Sequence, residues 1–83
     1  MISEKELYPV LNSQRWIPSP EGWVIDIDGI TLEAREERRR WRARAIREGI
    51  QGRWTPFVET RWRAGLMAYY ARNEEQTEFE FEK

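Results

Sequence analysis

An 83-residue chain with 15 acidic and 14 basic side chains, no Cys and no His has room for one domain. It excludes disulfide staples, thiol and imidazole catalysis and the usual zinc sites. A chain this short buries only about 60–65% of the surface its unfolded form exposes, so stability must come from its five Trp, three Tyr and three Phe or from self-association.

At the N-terminus, Ser3-Glu4-Lys5-Glu6 has capping-box spacing and predicts a short helix from Glu4 to about Leu11, with Pro9 late enough to kink it. Residues 12–22 read as a Pro-containing loop, extended by Pro18 and Pro20 and pinned by Trp16 and Ile17. Trp23–Asp28 alternates apolar with mixed residues and is the best strand candidate. Asp28-Gly29 then supplies turn chemistry before Ile30-Thr31-Leu32.

From about Leu32 to Glu48 the composition favours a helix, with Gly49 in the position of a C-terminal cap and Glu36 four residues before Arg40. Wound at 100° per residue, Leu32, Ala43, Ile46 and Ile50 form one stripe and Ala34, Trp41 and Ala45 a second. A helix with two apolar stripes needs a second covering surface, which makes a homodimer one solution. Thr55-Pro56 has the chemistry of a helix start, predicting a second long helix to about Asn73. Val58, Trp62, Gly65, Leu66, Tyr69 and Tyr70 on one side, with Phe57, Ala64, Met67, Ala68 and Ala71 on the other, make that helix nearly apolar all round and hence central.

The last ten residues, 74–83, carry five Glu against one Lys, and Thr77–Glu82 alternates with a period of two. They read either as a terminal strand paired with Trp23–Asp28 or as a solvated acidic tail. The expected fold is therefore a small compact α+β domain spanning 1–83, with a short N-terminal helix and two long helices. A small antiparallel sheet, built on the strand near 23–28 and a C-terminal strand at 77–82, completes it.

The near-zero net charge hides a division. Residues 1–34 carry two basic and six acidic side chains, whereas residues 35–63 carry ten Arg against four Glu. Arg38-Arg39-Arg40-Trp41-Arg42-Ala43-Arg44, Arg53-Trp54 and Arg61-Trp62-Arg63 interleave guanidinium groups with indoles. That combination suits phosphates and bases, but a dedicated nucleic-acid-binding domain commonly has a pI above about 9 and this chain has one near 5.5. Arg and Trp are equally the residues enriched at protein–protein hot spots, where mixed charge is tolerated. Arg35, Arg38, Arg39, Arg42, Arg53 and Trp54, on an Arg-rich helical surface, are therefore the candidate partner-binding residues. A protein partner is the leading expectation and a DNA- or RNA-binding regulator the alternative.

Catalysis has little to work with. The lysines lie at positions 5 and 83, Ser3, Ser13 and Ser19 fall in caps or loops, and no glycine-rich phosphate loop is present. Glu59, one turn before Arg63, reads as an ion pair. Asp26-Ile27-Asp28-Gly29 matches part of a calcium loop but fails at Val24 and Arg35. No enzyme activity, cofactor or metal is expected. The absence of Cys, of a leader pattern over Met1–Glu6 and of any uninterrupted apolar run points to a cytoplasmic protein without a membrane span. Small size and an acidic–basic–acidic order are shared with adaptors and inhibitors such as phage-encoded ones, an analogy of composition alone.

Overall fold

The computed structural model describes residues 3–71. Its element order is α1 (Glu4–Leu11), β1 (Ile17–Ser19), β2 (Gly22–Ile27), β3 (Ile30–Glu37), β4 (Arg40–Arg47), β5 (Ile50–Gln51) and α2 (Arg61–Tyr70). The five strands form one antiparallel meander in the order β1-β2-β3-β4-β5. Helix α2 lies across β3 and β4, and α1 packs against α2.

The expectation of two long helices is overturned. Residues 32–48 are not a helix but most of the central hairpin, β3 and β4, in which all eight residues of each strand are paired. The ends of this hairpin are set by turns at ten-residue intervals. Asp28-Gly29, Arg38-Arg39 and Glu48-Gly49 all have positive φ, between 52° and 80°, as a two-residue turn matched to the right-handed twist of a hairpin requires. Gly49 is thus a turn residue, not a helix cap. Alternation with a period of two then sorts the side chains. Trp23, Ile25 and Ile27 of β2 stand beside Ala34, Leu32 and Ile30 of β3, and Ala34 and Leu32 stand beside Ala43 and Ala45 of β4. This row faces the helices, and Leu32, Ala34, Ala43 and Ala45 are completely buried.

The alanines explain how α2 fits. Ala64, Gly65 and Ala68 of the helix are buried against a sheet whose centre is itself alanine, so helix and sheet approach closely. A Cβ on Gly65 would sit 3.1 Å from the Trp16 ring and 3.3 Å from Leu11, which makes glycine the residue that lets α1 and its following loop close on α2. Volume comes from the flanks, where Leu7, Leu11, Trp16, Ile25, Ile27 and Tyr69 complete the core. The Trp16 indole N–H is satisfied by the Leu11 carbonyl at 2.7 Å, one of the carbonyls that the end of α1 leaves without a helical partner.

Helix α1 has the expected bounds, but Ser3 caps it through its backbone: its carbonyl accepts from Glu6 N–H at 3.0 Å and Leu7 N–H at 2.9 Å, with no side-chain cap. Residues 12–22 are not wholly loop, because β1 pairs with β2 across a two-residue Pro20-Glu21 connection. Helix α2 begins at Arg61 with Thr60 as N-cap, not at Thr55-Pro56. Thr55 is held instead by β4, donating its N–H to the Ala43 carbonyl at 2.8 Å and accepting the Ala43 N–H on its hydroxyl at 3.0 Å. The expected strand at 77–82 lies outside the described residues.

Helix α2 has no basic residue in its last turn, and the sheet supplies one. Arg47 donates from Nη2 to the Tyr69 carbonyl at 2.8 Å, placing a cation where the helix dipole and open carbonyls favour it.

Arginine at both positions of the β3–β4 turn is a costly choice, since left-handed backbone costs a residue with a Cβ roughly 1–2 kcal/mol. Replacing Arg38-Arg39 by Asn-Gly should raise unfolding stability by about 1 kcal/mol or more, read as a higher urea midpoint at unchanged slope. Leu32→Ala, in contrast, should lower it by about 2–5 kcal/mol.

Candidate functional site

With both helices on one face of the sheet, the opposite face carries the alternate residues of each strand. In register across it stand Asp26 beside Thr31, Val24 beside Glu33, Glu33 beside Arg44, Arg35 beside Arg42, and Glu37 beside Arg40. The guanidinium groups are outward because their neighbours in sequence, Ala34, Ala43 and Ala45, are inward.

Trp54 joins them through a local irregularity of the chain. After β5, Gly52 N–H donates to the Ala45 carbonyl and Thr55 N–H to the Ala43 carbonyl, both at 2.8 Å, and Val58 and Trp41 exchange two bonds of 2.7 Å. Three residues of this segment therefore pass for every two of β4, a bulge at each step. The added residues bring Trp54 and Phe57 to the side of the sheet that bears Arg42 and Arg44. The Trp54 ring centre lies 4.8 Å from the guanidinium carbon of Arg35, 4.8 Å from that of Arg42 and 4.5 Å from that of Arg44. Arg42 is also 5.2 Å from the Phe57 ring.

Three like charges around one ring need compensation, and Arg35 directly opposite Arg42 is an unfavourable cross-strand pair taken alone. The chain's own carboxylates surround them. Arg35 pairs with Glu21 and, at 3.5 Å, with Glu33; Arg44 pairs with Glu33 at 2.8 Å and Arg42 with Glu37 at 3.7 Å. Glu33 is mostly buried between its two partners, whereas Glu21 and Glu37 are open to solvent. The Nε atoms of Arg35 and Arg42 are covered and have no hydrogen-bond partner among the described residues. Ring contact, at about 0.5–2 kcal/mol each, thus adds to hydrogen bonding in holding these side chains.

Of the six residues read from the sequence, Arg35, Arg42 and Trp54 come together on this face. Arg38 and Arg39 do not join them; they form the exposed β3–β4 turn. Arg53 is exposed next to Trp54 in the chain. The surface is a sheet and not the helix that was expected. Arg44, Phe57 and the three compensating glutamates were absent from the candidate set. The signal for Arg44 was present, because arginine at 38, 40, 42 and 44 has the period of a strand. Glu36 and Arg40 do not form the expected pair, since Glu36 stands opposite Trp41, and Glu59 has no ion pair with Arg63 among the described residues. Asp26 is engaged by the Thr31 hydroxyl, which donates to Oδ1 at 2.6 Å.

Compared with protein-family models, with curated proteins and with solved structures, the chain gave no match in any of the three.

If Trp54 organises this face, Trp54→Ala should leave the far-ultraviolet circular dichroism of the sheet intact. It should still cost about 1–3 kcal/mol in urea unfolding, from three lost ring–cation contacts and the exposed bulge.

Proposed function

We propose that this chain is a non-catalytic binding module that engages a protein partner through the outer face of its sheet, acting as an adaptor or inhibitor in the cytoplasm. One observation carries the reading: Trp54 sits under three guanidinium groups that Glu21, Glu33 and Glu37 already hold in place. Side chains ordered before binding lose less entropy on binding, and Arg and Trp are the types most enriched in hot spots. The face is also balanced in charge, as a protein interface tolerates and a phosphate-binding surface does not. Among the described residues no helix is long and apolar enough to cross a membrane.

A second reading, a DNA- or RNA-binding regulator, draws on a different place. Arg38, Arg39 and Arg40 are exposed at one end of the central hairpin and in no ion pair among the described residues. A β-ribbon of this kind fits a major groove.

The two readings separate by mutation and by salt. Proteins retained by the wild-type chain as bait, and lost with Arg42→Glu but kept with Arg39→Glu, fit the protein reading, provided circular dichroism shows both variants folded. Binding of duplex or single strands that Arg39→Glu abolishes, and that falls steeply between about 50 and 200 mM salt, would replace it with the second. The charge-balanced face predicts less than a threefold change in affinity for its protein partner over that salt range.

A further inference from the structure

The face of the sheet that carries the helices holds a second cluster of aromatics around a cation, at the end near the β3–β4 turn. Arg61 is the first residue of α2, and its guanidinium carbon lies 4.9 Å from the Trp23 ring centre, 5.4 Å from Trp16 and 5.7 Å from Trp41. Three different segments supply these indoles: the loop after α1, strand β2 and strand β4. Ala34 stands beside Trp23 in the register and Ala43 beside Ala34, so the sheet floor near the indoles is small and leaves room for a side chain descending from the helix.

Unlike the cations of the outer face, Arg61 has no carboxylate partner among the described residues. Its one hydrogen bond there is a long one, from Nη2 to the Ser13 carbonyl at 3.4 Å. None of its nitrogens is among the buried atoms that lack a partner, so the remaining donors of the fork reach solvent. Burial lowers its pKa, and no neighbouring carboxylate opposes that shift. The nearest candidates by position do not serve. Glu59, two residues earlier, is exposed, and Glu36, opposite Trp41, is exposed as well. Arg63, two residues further on, adds to the positive charge of a first helical turn that holds no acidic residue.

A cation partly removed from water, with no counter-ion among the described residues, is unfavourable in the free protein. A ligand that brings one negative charge and forked acceptor oxygens relieves it. We infer that Arg61, framed by Trp16, Trp23 and Trp41, is a binding site for an organic monocarboxylate with an aromatic body. A single charge with no ion pair among the described residues matches a carboxylate better than a phosphate dianion, whose dehydration needs several donors. Trp23 and Trp41, each only partly buried, offer the stacking surface for the ligand's apolar part. The site is on the opposite face from the Trp54 surface and does not depend on it.

The test uses the full chain and sodium benzoate, with acetate and inorganic phosphate as comparators at constant ionic strength, followed by the indole N–H resonances of the five tryptophans. Saturable shifts confined to Trp16, Trp23 and Trp41, with acetate at least threefold weaker and phosphate weaker still, are expected. Arg61→Gln should weaken benzoate at least tenfold, while Arg61→Lys, which keeps the charge and loses the fork, should fall between. Shifts that do not saturate, that involve Trp54 equally, or that phosphate produces at lower concentration than benzoate overturn the site. So does a folded Arg61→Gln that binds as wild type. Should Arg61→Gln fail to fold, the wild-type titration decides alone, and Arg42→Glu, which addresses the other face, should leave it unchanged.

Discussion

The register between β3 and β4 is the constraint on which the rest of the structure depends. With Ala34 opposite Ala43 and Leu32 opposite Ala45, the small residues face α2 and every guanidinium of 35, 42 and 44 faces away. A slip of one residue would turn one of the two strands over and exchange its buried and outward sets. It would press either Arg35 or both Arg42 and Arg44 into a helix interface lined by Ala64, Gly65 and Ala68, where each uncompensated charge would cost several kcal/mol. The buried row and the charged row therefore specify the same pairing from opposite sides.

That pairing also explains why four of the five tryptophans fall into two groups with different work. Trp16, Trp23 and Trp41 lie on the helix side and surround Arg61, whereas Trp54 lies on the open side and supports Arg35, Arg42 and Arg44. In both places an indole face takes up part of the role that a carboxylate or water would fill for a cation. The difference is compensation. The outer arginines share Glu21, Glu33 and Glu37, so their surface is nearly neutral; Arg61 has aromatic walls and one weak hydrogen bond among the described residues.

The shape of the sheet follows from short connections. Four two-residue links join the five strands, and a segment bulged twice shields the far edge of β4. An exposed edge in so small a sheet invites pairing with other chains. The bulged segment covers that edge and at the same time redirects Trp54 and Phe57 to the outer face, so one departure from regular pairing both shields β4 and shapes the candidate surface.

Several features were legible in the residues alone. The α1 bounds, the strand before Asp28-Gly29 and the concentration of Arg and Trp between 35 and 63 all rest on local chemistry or composition. The central hairpin was not read, because Leu, Ala, Glu and Arg are strong helix formers and Arg38-Arg39 lacks the Gly, Asn or Asp that marks a two-residue turn. The ten-residue spacing of Asp28-Gly29, Arg38-Arg39 and Glu48-Gly49 was the available clue. What only the tertiary structure decided was pairing at a distance: α2 against an alanine floor, Trp54 across a bulge, Glu21 against Arg35. Helix propensity is a property of each residue and its near neighbours, worth less than about 1 kcal/mol apiece. Burial of a whole strand face beneath a helix is a property of the assembled chain, and here it outweighed the sum of those local preferences.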